Sequence, residues 1–291
     1  MQVWLNGRVM PVEAAHISPL DRGFLFGDGI YELVRFFDGV GMAMEAHLTR
    51  LERSLSLSGI LGFNAHQARH AMQAVLQANR LADAAVYLQV TRGAAPTRSH
   101  IPPTGLAPTV FAFASPCPGL ASLSTPAGIR VSVQPDDRWR RCEIKSISLM
   151  GSILPMLAAG QAGAEEAVLV RDGLLSEGSS SNVLLVRGET VSTPPIDADP
   201  AILRGTMRDM ALHAARASGL RVEERPVSAA ELDRADEVLI ASSRRVLAAV
   251  SHLDGRAVAT PVPGPVACRL LQGMREQLQA SIRGVTGASR P

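Results

Sequence analysis

Along the first third of the chain the spacing of apolar residues changes several times. "VWLNGRVMPV" places Asn6-Gly7 between two short apolar runs, which predicts a hairpin closed by a two-residue type I′ turn. A glycine-rich stretch, "RGFLFGDGIYELVRFFDG", follows. Over residues 45–62, Leu48, Leu51, Leu55 and either Leu57 or Ile60 recur near helical spacing. Residues 65–81 repeat the pattern with Ala68, Met72, Val75 and Leu76. "AVYLQVTRG" and "TVFAFAS" then read as strands. Residues 115–128, "SPCPGLASLSTPAG", hold three prolines and three serines with almost no charge, the composition of a connector. The spacing therefore predicts an N-terminal domain over 1–116, a linker over 117–128 and a second domain over 129–291.

The second domain opens with the strand "IRVSVQ" and continues through "EAVLVRDG", "NVLLVRG", "RVEERPV" and "EVLIASS". Helices are predicted at about 147–163, 205–219 and 265–282. Ser228 and Glu231 form a capping-box pair before a short helix, and Asp172-Gly173 and Asp254-Gly255 read as hairpin turns. Strands and helices mixed in both halves predict two α+β domains with largely antiparallel sheets, one of them closing on itself.

Composition narrows the function. At 291 residues, 46% hydrophobic and 19% charged, the chain has the make-up of an ordinary globular protein. A net charge of +2 and 4% aromatic residues give neither the basic footprint nor the stacking surface that nucleic acid requires. No segment reaches the ~20 apolar residues of a membrane span, and the N-terminus lacks the basic-then-apolar order of a signal peptide. Cys117, Cys142 and Cys268 are widely spaced, which fits reduced thiols in a cytoplasm and no metal site.

One compositional feature points to chemistry. Of 29 cationic residues only Lys145 is a lysine, and all the others are arginine. On a solvated surface the two are exchangeable, but a guanidinium does not give up its proton, whereas a lysine amine can be deprotonated and act as a nucleophile. Schiff-base chemistry is the commonest reason for that demand. Further on, "SEGSSSNVLL" sets Glu177 and Asn182 at the two ends of a serine-rich turn, and "ILRGTMRDMALHAARA" places Gly205 and Thr206 at the mouth of an apolar-periodic helix, where backbone N–H groups and the helix dipole favour an anion. Taken alone, a serine turn is usually a solvated loop, and most helix N-termini bind only water.

Taken together, "IKS", "EGSSSN", "ILRGTMRD" and "ASS" in that order resemble the class IV, or fold-type IV, pyridoxal-phosphate aminotransferases, over about residues 4–280. The resemblance implies a two-domain α+β fold, a smaller N-terminal domain beside a larger C-terminal pseudo-barrel, and pyridoxal 5′-phosphate as cofactor. It implies that Lys145 holds the cofactor as a Schiff base and later moves a proton between substrate and cofactor. Glu177 is matched to the pyridine nitrogen, and Arg50, in "HLTRLERS", to the phosphate. Ser181, Asn182, Leu203, Thr206, Met207, Ser242 and Ser243 fall on the remaining cofactor-binding positions, with Leu203 against the ring. Tyr31 matches an aromatic hydroxyl facing the substrate. Within the family, "TRGAAPTRSHIPP" is most similar to the D-amino acid aminotransferases, whose R-x-H pair, here Arg98 and His100, clamps the substrate carboxylate from the partner subunit of a homodimer.

The implied reaction is a ping-pong transfer of an amino group between D-amino acids such as D-alanine or D-glutamate and 2-oxo acids. Branched-chain L-amino acid or (R)-amine transamination, the lyase reaction on aminodeoxychorismate and a non-catalytic binding role are the alternatives. Two departures stand out. Gly205-Thr206-Met207 replaces the family's Gly-Ile-Thr, which displaces the threonine hydroxyl by one position. Arg244-Arg245 follows the paired serines, where it either lines the pocket and favours acidic substrates or faces solvent.

Overall fold

Alternation along the early strands and 3.6-residue periodicity along the helices build the first core. The computed structural model describes residues 1–197, 201–258 and 260–288. It separates into two units, and the first comprises Met1–Gly119 and Ile144–Leu149. β1 (Gln2–Leu5) and β2 (Arg8–Pro11) form the predicted hairpin, with Asn6 and Gly7 both at positive φ. The short α1 (Arg22–Phe26) leads into β3 (Gly29–Phe37) and β4 (Val40–Gly41). The helices α2 (Met44–Ser58) and α3 (Ala65–Asn79) then precede β5 (Ala84–Thr91) and β6 (Thr109–Pro116). The six strands pair in the order β2-β1-β6-β5-β3-β4, all antiparallel.

Leu48, Leu51 and Leu55 of α2 and Ala68, Met72, Val75 and Leu76 of α3 pack on Ile30, Val34, Val86 and Leu88. Ile60, just beyond the end of α2, joins this core at 3% exposed, whereas Leu57 on the helix is 40% exposed. Asn64 and Gln67 cap α3 reciprocally. Ile144 joins this core, and the segment that follows runs along β3 through Tyr31 N–H to Lys145 O (3.0 Å) and Ile147 N–H to Gly29 O (3.0 Å). These bonds place Lys145 with the first unit, although the spacing assigns it to the second domain.

The second unit is Leu120–Glu143 with Met150–Pro291. The expected linker contains a 3-10 turn at Leu120–Ser124 and the start of β7 (Ala127–Pro135). After α4 (Met150–Gln161) come β8 (Glu166–Arg171), β9 (Leu174–Gly178), β10 (Asn182–Arg187) and β11 (Thr190–Thr193). α5 (Thr206–Ala217), β12 (Arg221–Glu224), β13 (Glu237–Ser242), β14 (Val246–Leu253), β15 (Arg256–Ala257) and α6 (Pro265–Ala288) complete the chain. The sheet runs β12-β11-β10-β13-β14-β7-β8-β9, with β15 on β14. The pairs β7–β8, β7–β14 and β11–β12 are parallel. The remaining pairs are antiparallel, so pairing is largely antiparallel as expected; α4 joins β7 to β8 and α5 joins β11 to β12, the crossovers that those two parallel pairs require. Gly178 N–H bonds Ser181 O at 2.7 Å, so the turn after β9 returns the last strand of this path to β10 and curls the sheet. Among the described residues no helix is long and apolar enough to cross a membrane.

Candidate active site

In the first unit, β3 presents Tyr31 and Glu32 to opposite faces. Lys145 lies beside this strand. Its Nζ is 4.3 Å from the centre of the Tyr31 ring, a cation–π contact, and its backbone N–H reaches Ser54 Oγ at 3.3 Å. The other face of β3 points into the core, where Ile30, Val34 and Phe36 share the pleat with Glu32. Glu32 is completely buried. Arg50 reaches it from α2 with a two-pronged pair, Nε to Oε1 and Nη2 to Oε2, both 2.8 Å, and His47 Nδ1 sits 2.6 Å from Oε2. Burial by itself would push the Glu32 carboxyl up, but the charges and hydrogen bonds of Arg50 and His47 outweigh it and hold it far below the usual carboxylate range. His47 is pushed down, first by burial and further by the charges of Arg50 and Lys145, against the pull of Glu32.

Glu32 and His47 were absent from the sequence-derived site. The available signal was a lone carboxylate at a core-facing position of "GIYELVRFF", with His47 and Arg50 three residues apart on one helix face. Arg98 and His100 occupy an exposed loop, and both meet Phe26: the Arg98 guanidinium carbon is 4.9 Å from the ring centre and the His100 ring is 5.5 Å away, edge-on.

In the second unit, Glu177 is 4% exposed at the end of β9. Arg138 Nη1 donates to Oε1 at 2.7 Å, and Asn182 Nδ2 and the Leu203 backbone N–H both donate to Oε2 at 3.1 Å. Arg138 is itself fixed by Asp136, through Nε to Oδ1 at 2.8 Å and Nη2 to Oδ2 at 3.0 Å. Burial opposes its charge, but Asp136 and Glu177 overcome that and raise its pKa. Asn182 also donates to Leu203 O at 3.0 Å, tying the turn to the approach of α5. The hydroxyls of Ser179, Ser180 and Ser181 all donate to one buried carboxylate, Glu166. Ser181 ends that turn with its hydroxyl turned to Glu166.

At the start of α5 only glycine fits at position 205, since a Cβ there would lie 1.7 Å from Asn182 Oδ1. Thr206 and Met207, the first two helical residues, are both buried. Ser242 Oγ accepts the Arg245 backbone N–H at 3.3 Å, and Ser243 beside it is half-buried. Arg244 is exposed, and Arg245 Nη2 donates to Glu165 O at 3.1 Å. Arg138, Asp136 and Glu166 were missed in the sequence because their roles come from partners met in the fold: Arg138 and Glu177 are 39 residues apart, and Glu166 meets serines 13 to 15 residues on.

Each unit holds groups whose chemistry fits part of a phosphorylated pyridine aldehyde: the first a primary amine beside a tyrosine and an arginine suited to a phosphate, the second a buried carboxylate suited to a ring nitrogen and a glycine-led helix start suited to an anion. The family model for amino-transferase class IV matches residues 29–253. The D-alanine aminotransferase of Bacillus licheniformis is 36% identical over 287 residues, 98% of this chain and 99% of that protein. That of Listeria monocytogenes is 32% identical, with 96% of each chain covered. The branched-chain amino acid aminotransferase of Escherichia coli shares the fold, with a TM-score of 0.85 at 24% identity over 93% of this chain and 92% of that one. With its residues 29–253 matched to the family model, its fold-type IV architecture and relatives above 30% identity along its length, this chain is a member of the class IV aminotransferase family, whose enzymes use pyridoxal phosphate.

Proposed function

We propose that this chain transfers an amino group between D-amino acids and 2-oxo acids, using pyridoxal 5′-phosphate. The observation that carries the reading is the 36% identity, over 98% of the chain, to a D-alanine aminotransferase. When bound, the cofactor supplies an electron sink for the pair released as the substrate Cα–H bond breaks.

Lys145 is the residue that would hold it, being the sole lysine, and its amine carries the proton to and from Cα. Glu177 is the partner for the ring nitrogen. Its two oxygens are oriented by Arg138, Asn182 and the Leu203 amide. Arg50 is the partner for the phosphate, its fork aimed by Glu32. In the second unit the N–H groups of Thr206 and Met207, with Ser242 and Ser243, are the candidates for further phosphate contacts, Leu203 for the face of the ring, and Ser181 and Asn182 for the turn that carries Glu177. Arg98, His100 and the Tyr31 hydroxyl fix the substrate carboxylate. Anchoring the carboxylate on one side decides which enantiomer turns its Cα hydrogen toward Lys145.

The working unit in this reading is a homodimer in which Arg98 and His100 serve the partner's site. α4 supports it: the helix has no charged residue, and Met150, Ile153, Leu154 and Leu157 are each between 44% and 65% exposed. An apolar face of that kind is unusual on a monomer.

The test is kcat/KM for D-alanine, D-glutamate, L-leucine and (R)-1-phenylethylamine, with 2-oxoglutarate as acceptor where one is needed. A preference for the two D-amino acids is expected. Preference for L-leucine or for the amine would replace the reading with a branched-chain or amine transaminase, and turnover of aminodeoxychorismate alone would replace it with a lyase.

A further inference from the structure

Arg22 opens α1, a helix too short to hold itself, yet the side chain is only 4% exposed. Its backbone is fixed at both flanks: Arg22 N–H bonds Gly93 O at 2.9 Å, and Asp21 caps the helix through Gly23 N–H at 2.8 Å while accepting the Thr91 hydroxyl at 3.0 Å. Ala95 N–H reaches Leu20 O at 3.2 Å. The chain leaving β5 is thereby stitched to the α1 turn as far as Ala95, and beyond it residues 96–101 are exposed and lie outside any helix or strand.

The guanidinium reaches into that second stretch. Nε donates to Asp28 Oδ2 at 2.7 Å, Nη1 to Ser99 O at 2.5 Å and Nη2 to His100 O at 3.1 Å. Its central carbon lies 4.9 Å from the centre of Phe26, the ring that Arg98 also covers at 4.9 Å and that His100 meets edge-on. Asp28 is in turn gripped by Arg92, through two bonds of 2.8 Å. Burial would raise the Asp28 carboxyl, but Arg92 and Arg22 together hold it below its usual range. Neither Arg22 nor Asp28 carries a role in the reading above.

We infer that Arg22 is a positioning residue for substrate-carboxylate recognition: with Asp28 behind it and Phe26 beneath it, it fixes the 98–100 peptides so that Arg98 and His100 are presented together. This rests on the reading that Arg98 and His100 bind the substrate carboxylate. The physical argument is the geometry of the guanidinium. A planar fork bonds two successive carbonyls and a carboxylate at once, and so sets the direction of the chain, not merely its distance. An ammonium keeps the charge opposite Asp28 but has no such fork. Arg22→Lys is therefore the informative variant, since it preserves the ion pair while releasing the loop.

The experiment compares the parent, Arg22→Lys, Arg98→Ala and the double variant as holoenzymes, reading KM and kcat for D-alanine, the cofactor dissociation constant and the thermal midpoint. Arg22→Lys should raise KM for D-alanine by about tenfold to a hundredfold, the scale expected of a misplaced positioning group, with the cofactor dissociation constant, kcat and midpoint close to the parent's. In the double variant the two effects should not multiply, because both act through one clamp. If Arg98→Ala raises KM and Arg22→Lys leaves it unchanged, or if the two effects multiply fully, the inference fails and the clamp reading stands. If Arg22→Lys lowers kcat, cofactor affinity and midpoint together, its role is structural and the inference fails. If Arg98→Ala is indifferent toward D-alanine, the clamp reading falls and takes the inference with it.

Discussion

Glu32 and Glu177 are two buried carboxylates on strands of different units, each met by an arginine at 2.7–2.8 Å. The same ion pair is used from opposite ends. In the first unit Glu32 shares the core side of β3 with Ile30, Val34 and Phe36 and is bound by Arg50 and His47, so in the proposed reading it is the support and the arginine is the group that meets the ligand. In the second unit Arg138 is clasped in a fork by Asp136 and so is the support, while the carboxylate it holds is the group assigned to the cofactor. The pair alone does not say which member works.

The largest effect should come from the residue outside both pairs. Lys145→Ala and Lys145→Arg should each reduce turnover by about a thousandfold or more, since nucleophile and proton carrier are lost together. Borohydride, which in the parent should attach the cofactor to the peptide carrying Lys145, should attach it to none. Because Arg keeps the charge, substantial activity in that variant would show that the site uses charge, not an amine.

The comparison itself is tested by one substitution in each pair. Glu177→Gln should lower kcat with only a small change in cofactor affinity. Glu32→Gln should instead weaken cofactor binding and leave kcat at saturating cofactor near that of the parent. Breaking either buried pair leaves a charge without its counterpart, at a cost in stability of about 3–5 kcal/mol. Urea denaturation of the apoproteins measures that cost separately. The same defect in both variants would mean that the roles of the two pairs are not reversed.

Acid sharpens the contrast. Because the Glu32 carboxyl titrates well below its unfolded value of about 4.3, its contribution to stability is fully present above that pH and is lost as the pH falls toward the folded value. The apoprotein should therefore lose urea resistance steeply below about pH 4, and Glu32→Gln should flatten that part of the profile. A profile unchanged by the substitution would show that Arg50 and His47 do not hold Glu32 ionised.

Which of these residues could be read from the sequence follows from how each is encoded. The helices of the first unit were legible because Leu48, Leu51 and Leu55 mark a stripe at helical spacing and the fold buries that stripe. β14 was not, since "VLAAVSHL" is a nearly continuous apolar run that fits a helix as well as a strand. β9 is five residues between two turns, too short to show a period. Lys145 stood out by composition, and Glu177 and Asn182 by resemblance. The supports did not, because Glu32, Asp136, Arg138 and Glu166 acquire meaning only from partners distant in sequence, as with Arg138 and Glu177, 39 residues apart. A residue that positions another leaves no local mark.

Arg50→Ala should weaken cofactor binding by about 1.5–3 kcal/mol for each charge-assisted bond lost, read from the dissociation constant of the cofactor with the apoprotein. The smallest predicted change also concerns the phosphate. Met207 is 2% exposed in the first turn of α5, where the family's pattern has a threonine. Met207→Thr restores a hydroxyl at that position and should tighten cofactor binding by about 1 kcal/mol, the net value of one hydrogen bond. It also removes a packed thioether, so the apoprotein should lose about 1–3 kcal/mol of stability. The two changes have opposite signs and are read in different experiments, cofactor titration for the first and urea denaturation of the apoprotein for the second. Tighter binding in a less stable protein would show that the hydroxyl faces the phosphate and that the adjacent Thr206 does not already replace it. Loss of stability with an unchanged dissociation constant would show instead that the displaced threonine at 206 has taken over the contact.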